Sequence, residues 1–197
     1  KTLVLPRRED LRTPASLEAC VRRYQVDTIH VSPSRFLQYR SDPAFAQLLR
    51  QIRLLLAGSE PLSEYAAGLM CRSGCGEVIF IYGASELFGP YLTRFGRDYS
   101  GGAITYPISD YDGEIHILDD GKKPVKKGEP GELCIGGVSG KQNRYYSSEA
   151  LNAEKYFAHP DFGRLYLTGD LAKEVNDGEI ALLGRKDSMV KLFGIRI

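Results

Sequence analysis

A hydroxyl and a carboxylate on adjacent residues, directly after a run of β-forming residues, suit a phosphate and its magnesium ion. Ser85 and Glu86 form such a pair in YGASE (82–86), which closes the run EVIFIYG. Mg²⁺ takes hard oxygen ligands, and both side chains offer them. Gly83 lets the backbone come close to a ligand, and Tyr82 supplies an aromatic face for stacking a base. A Tyr-Gly turn capped by a serine would account for the same letters. YLTGD (166–170) ends a second apolar run. There Asp170 follows a glycine turn, and a fixed carboxylate can accept hydrogen bonds from both vicinal hydroxyls of a ribose, although Asp is also ordinary in turns. In GRKD (184–187), Arg185 is a donor fork suited to ribose or phosphate oxygens. Taken alone it would serve equally as a surface ion pair.

The elements that must position these residues divide into two stretches. Up to about residue 90, apolar runs alternate with helical patterns. LVL (3–5) reads as a buried strand. Pro14 opens a helix with Leu17, Cys20, Val21 and Tyr24 on one face. TIHVS, IRLLLAG and EVIFIYG read as strands; SRFLQYR, 45–50 and SEYAAGLM read as helices. This alternation predicts a parallel sheet with flanking helices, its strands buried on both faces, and ligands beyond the carboxyl ends of the strands. From about residue 100, short β runs punctuated by Gly, Asp and Pro predict a smaller, β-rich, barrel-like subdomain. The expected organisation is an α/β subdomain over 1–99, the β-rich part over 100–184, and a hinge with the start of a further lid over 185–197.

Composition narrows the function classes. The 197 residues are 43% hydrophobic and 26% charged, as in an ordinary globular chain. No apolar run approaches the roughly 18 residues of a membrane span. A net charge of +1 with interspersed signs argues against a nucleic-acid partner. Cys20, Cys71, Cys75 and Cys134 form no paired metal-binding spacing and read as reduced, semi-buried thiols of a cytoplasmic protein. His30, His116 and His159 are scattered and suggest no metal cluster.

Taken in order, with β runs between them, the three motifs resemble those of the superfamily of acyl- and aminoacyl-adenylate-forming enzymes. YGASE resembles that group's YGPTE; GELCIGG, YLTGDLAK and GRKDSMVKLFGIRI resemble its later core motifs. The likeness runs along essentially the whole chain and is greatest to peptide-synthetase adenylation domains. It implies ATP and Mg²⁺ as cofactors, a carboxylic acid (an amino acid above all) as substrate, a carrier-protein phosphopantetheine thiol as acceptor, and neighbouring synthetase domains as partners. Residue by residue, it implies that Tyr82 packs against adenine, with the backbone of Gly58, Ser59, Glu60 and Pro61 on its other side. Ser85 would contact the α-phosphate and Glu86 would hold Mg²⁺. Asp170 would bind the ribose hydroxyls, Arg185 would support ribose and phosphate, and Asp187 would fall at a hinge. Counting from the motifs, the acyl pocket would be lined by His30, Leu55, Ala57, Ile81, Gly89 and Pro90.

Ala84 and Ser85 stand where the superfamily commonly has Pro-Thr, and NRYYSSEALNAEKY departs from RGYLNRPELTAEKF at Arg144 and Glu149. The resemblance also implies that a phosphate loop with its lysine, and an aspartate for an α-amino group, precede Lys1, and that the catalytic lysine follows Ile197. Little or no adenylation activity is therefore expected of this stretch by itself. An acyl- or aryl-CoA synthetase and a non-catalytic adenylation-like scaffold remain as alternatives. A third alternative is an unrelated α/β binding protein.

Overall fold

The computed structural model describes residues 2–86, 89–108, 114–137, 144–187, 191–192 and 195–196. The chain divides into two compact units, one comprising 1–81, 94–102 and 191–197, the other 82–93 and 103–190.

The first unit is built on α1 (Pro14–Tyr24), β1 (Thr28–Val31), α2 (Pro33–Tyr39), α3 (Pro43–Gln51), β2 (Leu54–Ala57), α4 (Glu64–Cys71) and β3 (Glu77–Ala84), which leaves the unit after Ile81. Each helix begins where a short oxygen-bearing side chain can satisfy an orphan amide. Thr13 and Ser16 form a reciprocal capping box at α1, Ser32 caps α2, Asp42 caps α3 and Ser63 caps α4. Pro14, Pro33 and Pro43 occupy first-turn positions, where the missing N–H costs nothing.

β1, β2 and β3 pair in parallel, with Val31, Ala57 and Phe80 in register. β4 (Gly89–Phe95) is the fourth strand of that sheet, in the order β1-β2-β3-β4. Burial alternates along β2 and the first half of β3. Val31, Leu55, Ala57, Val78 and Phe80 lie on the buried face, whereas His30, Leu56, Ile79 and Ile81 lie on a face that is only half-covered or open. The expected burial of both faces therefore holds for one. Leu55 joins Phe36, Phe45, Leu48, Ile52, Met70 and Phe80 in the fully buried core, where Phe36 and Tyr39 meet Phe45 edge-on at 5.8 and 5.7 Å. Residues 3–5 form no strand, and Leu3 and Leu5 are exposed. An apolar triplet without a paired neighbour has no ladder to join.

The second unit holds β5 (Thr105–Pro107), β6 (Ile115–Leu118), β7 (Gly131–Ile135), α5 (Glu149–Lys155), β8 (Tyr156–His159), β9 (Gly163–Asn176) and β10 (Glu179–Arg185). The strands form an antiparallel sheet in the order β5-β10-β9-β7-β6, with β8 also paired to β9. This is an open sheet, not a closed barrel. Its centre is the 14-residue β9, which pairs with β7 along one edge and with β8 and then β10 along the other. The expected lid segment contributes two short strands, β11 (Lys191–Leu192) and β12 (Ile195–Arg196), paired with each other; the rest of 188–197 lies outside the described residues. Among the described residues no helix is long and apolar enough to cross a membrane.

One packing feature of this unit titrates. Phe162 is stacked between two imidazoles, His116 at 3.8 Å and His159 at 4.3 Å. His159 Nδ1 accepts the Asp161 N–H, so its Nε2 donates to the Lys122 carbonyl. His116 Nε2 is buried and has no hydrogen-bond partner. Burial lowers the His116 pKa from its ordinary 6.5; the Glu114 charge opposes this and His159 adds to it. As pH falls through 6.5, the unfolded chain takes up this proton before the folded one, so stability declines on the acid side. The expected outcome is that His116→Phe, which removes the orphan nitrogen, unfolds at higher temperature than the parent. The gap should widen as calorimetry moves from about pH 7 to pH 5.

Candidate functional site

In the second unit, β9 breaks its own ladder at the residues that matter. On the β7 side, Glu132 pairs with Leu171 and Cys134 with Leu167, so two steps along β7 span four along β9. On the β10 side the register also shifts, between Leu182 and Gly184. Against β7 the surplus is Thr168-Gly169-Asp170, a bulge of the kind that re-aims side chains beside functional sites; against β10 the extra residue is Leu183 of β10, and Asp170 pairs with Arg185. Gly169 takes φ +73°, and a Cβ there would meet the Arg185 guanidinium at 2.6 Å, so glycine is needed for both conformation and room. Thr168 Oγ1 donates to the Leu133 carbonyl at 2.7 Å and accepts the Asp170 N–H at 3.0 Å.

The bulge delivers Asp170 into a tight cluster. Its Oδ2 accepts the Tyr82 hydroxyl at 2.5 Å, and its Oδ1 accepts Arg185 Nη1–H at 3.1 Å. Arg185 Nη1 also reaches the Thr168 carbonyl at 2.8 Å. Its Nε and Nη2 grip Asp187 bidentately at 2.9 and 2.6 Å. The Asp187 hydrogen bond, followed by the Asp170 charge, raises the Arg185 pKa against partial burial. Burial raises the Tyr82 pKa well above its usual value, and the Asp170 charge adds to the shift, so the phenol stays protonated and donating. Its ring remains partly exposed and lies 6.5 Å from Tyr106, tilted by 54°.

Glu86 is held by a second phenol. Tyr145 donates to its Oε1 at 2.8 Å. Burial, then the bond to Glu86, pushes Tyr145 up to about 12. The Tyr145 backbone is clamped by Asn152 of α5, which accepts its N–H at 2.7 Å and donates to its carbonyl at 3.0 Å. Ser85 is exposed and Gly83 is half-buried in β3.

Within the first unit, the loop after β2 is pinned to the start of α2. Glu60 accepts the Ser34 N–H at 3.0 Å and its hydroxyl at 2.9 Å. Ser59 takes a left-handed φ of +72° with its Oγ 3.4 Å from His30 Nε2. A Cβ on Gly58 would strike the Ile81 side chain and carbonyl at 2.5 and 2.6 Å, and Pro61 is exposed. Strand alternation separates the expected pocket residues. His30 and Ile81 share one face, while Leu55 and Ala57 lie on the other, fully buried in the core. His30 is exposed. Gly89 and Pro90 open β4, and their side-chain environment lies outside the described residues.

Residues 1–145 match the AMP-binding enzyme family. The chain belongs to that family. Over its full length this AMP-binding chain is 31% identical to bacitracin synthase 1 of Bacillus licheniformis, of which it spans 4%. It is 31% identical over 99% of its length to surfactin synthase subunit 1 of Bacillus subtilis, spanning 6% of that protein. It therefore represents a small part of each of these relatives. Among solved structures, IdnL1 superposes with a TM-score of 0.80 at 22% identity, over 97% of this chain and 40% of that one. Holo-PA1221, described as an NRPS protein containing adenylation and PCP domains, gives 0.75 at 21% identity, over 94% and 33%. At these identities the likeness speaks to the fold.

Thr168 and Tyr145 were not singled out by their residue types, although both stand inside or beside recognised motifs. Their partners are distant in sequence, which is why spacing does not reveal them. Thr168→Val removes a buried donor and the acceptor of the Asp170 amide, and should cost about 1–3 kcal/mol. Chemical denaturation of the second unit checks this, with Thr168→Ser, which keeps both hydrogen bonds, expected to lose less.

Proposed function

We propose that the chain is part of a peptide-synthetase adenylation domain, which activates an amino acid or related carboxylic acid with MgATP. A carboxylate oxygen of the acid attacks the α-phosphate, pyrophosphate leaves, and an acyl-adenylate forms. A carrier-protein pantetheine thiol then attacks the acyl carbon, releasing AMP and leaving a thioester. The observation that carries the reading is the Asp170 carboxylate, raised on a bulge and shared between Tyr82 and Arg185, in a chain of the AMP-binding family. The carrier acceptor is supported by the structural neighbours, which include proteins described as containing adenylation and PCP domains.

The residues present fit nucleotide and metal. A carboxylate has about four lone-pair positions, and Asp170 gives one oxygen each to Tyr82 and Arg185, which leaves capacity for a vicinal diol. Arg185, held between two carboxylates, adds fixed positive charge beside it. The partly exposed Tyr82 ring is fixed by its own hydroxyl and presents a face to adenine. Ser85 donates to the α-phosphate. Mg²⁺ is usually bound through one or two carboxylates plus phosphate oxygens, and Glu86, oriented by Tyr145, supplies one. When bound, the ion offsets phosphate charge and aligns the α-phosphate for displacement. In the first unit, the loop containing Gly58, Ser59, Glu60 and Pro61 is proposed to contribute backbone contacts to nucleotide. In the same unit, His30 and Ile81 are proposed to face the acyl side chain, with Leu55 and Ala57 backing that wall from the core; Gly89 and Pro90 are proposed as pocket residues of the second unit. Asp187 is proposed as the hinge.

Calorimetric titration of AMP into the chain tests the reading. Binding should weaken by about tenfold or more in Asp170→Asn, the worth of a charge-assisted hydrogen bond. Equal affinity in the two proteins would remove Asp170 from the nucleotide site. ATP–pyrophosphate exchange by this chain by itself is expected to be little or none.

A further inference from the structure

Among the described residues of the second unit, Glu132 is the one buried carboxylate, 7% exposed on β7. None of the roles above uses it. Its Oε1 accepts the N–H of Gly169, the residue before Asp170, at 3.2 Å. Its Oε2 meets Nζ of Lys186, the residue after Arg185, at 3.2 Å, and Nζ of Lys122 at 3.4 Å. The Lys186 N–H donates in turn to the Gly169 carbonyl at 2.8 Å. Lys186 also pairs with Asp120 at 2.7 Å, which neutralises the second cation.

A carboxylate withdrawn from water is unfavourable unless it is paired and hydrogen-bonded, and apolar side chains commonly do the packing better. The two lysines explain how Glu132 is tolerated; they do not explain its place. That place is the seam between the bulge of β9 and the end of β10, with one oxygen for each. Nothing else described ties the neighbour of Asp170 and the neighbour of Arg185 to a single side chain. Because Arg185 and Asp170 touch at 3.1 Å, a slip of either segment changes how much of the carboxylate faces a ligand.

We propose that Glu132 is a positioning residue that locks Asp170 and Arg185 in the geometry for reading a vicinal diol, and so sets ribose selectivity. This rests on the nucleotide reading above. A purely structural Glu132 would weaken AMP and 2′,3′-dideoxy-AMP together and leave their affinity ratio unchanged; a positioning Glu132 sets the ratio itself.

The test measures both affinities by calorimetry, and amide exchange at Asp170 and Lys186 by NMR, with the Phe80 amide of the parallel sheet as control. In the parent chain AMP should bind about tenfold or more tighter than the dideoxy analogue. In Glu132→Ala the ratio should fall to within about twofold of unity, and the Asp170 and Lys186 amides should exchange about tenfold faster or more while Phe80 keeps its rate. A folded Glu132→Ala chain with the ratio and both rates unchanged overturns the proposal. If that variant does not fold, Glu132→Gln decides, since it keeps an acceptor for Gly169 but drops the charge that holds Lys186. A ratio reduced by about half or more, with faster exchange at Lys186, supports the proposal, and parent values overturn it. A parent chain without measurable AMP affinity would count against the nucleotide reading, and the exchange rates alone would then decide whether Glu132 positions the two segments.

Discussion

A strand paired on both edges normally keeps its side chains in strict alternation, and β9 has to depart from that at one point while remaining the central strand of its sheet. The bulge at Thr168-Gly169-Asp170 resolves the conflict. It takes Asp170 out of the pairing with β7 while Asp170 stays paired with Arg185 on the β10 side, and it leaves peptide groups that the regular pattern would have satisfied. Those groups are recovered one by one: the Asp170 amide by Thr168, the Thr168 carbonyl by Arg185, the Gly169 amide by Glu132 and the Gly169 carbonyl by Lys186. Buried peptide groups left without partners would cost as much as the contacts they forgo. The proposed chemistry therefore depends on side chains that repair a backbone defect, and Arg185 does both jobs with one guanidinium.

How much of this was legible in the sequence follows from the range of each interaction. The helices of the first unit were readable because their start signals are local: Thr13, Ser32, Asp42 and Ser63 act on amides two or three residues away. Arg185 and Glu86 were readable as chemical groups at strand ends, and Asp170 as a carboxylate after a glycine turn, although that turn lies within β9 rather than at its end. Their neighbours were not. Tyr145 meets Glu86 across 59 positions, and Glu132 meets Gly169 across 37; such pairs are set by sheet register, which no local pattern encodes. The expected barrel came from strand spacing alone, and spacing does not say whether a sheet closes.

The exposed Leu3 and Leu5, and the facing of the expected pocket residues, have another cause. Leu3 and Leu5 are apolar, and apolarity signals a strand only where a partner strand exists; here both remain exposed. Leu55, Ala57, His30 and Ile81 were grouped by distance from motifs, but residues on paired strands share a face only when register and parity agree. Ala57 pairs with Phe80 and His30 with Leu56, so the expected pocket residues fall on the two faces of the sheet, which spacing along one strand does not show.

Both carboxylates of the proposed nucleotide site are steadied by tyrosine rather than only by cations, and this has an electrostatic consequence. The Tyr145 phenol orients the Glu86 carboxylate and, being neutral, does not itself offset its charge. The device works only while the phenol remains protonated. Burial, with the carboxylate charge adding to it, pushes Tyr145 to about 12 and raises Tyr82 and Tyr166, far above any pH at which the protein would operate. Asp170 is the contrasting case. Tyr82 steadies one oxygen, while Arg185 touches the other and is itself shared with Asp187. With two carboxylates around one guanidinium, the cluster keeps net negative charge, so it can accept the hydroxyl protons of a ribose without being saturated by its own arginine. Glu86 thus accepts from a neutral phenol, and Asp170 accepts from a neutral phenol and from a guanidinium shared with Asp187.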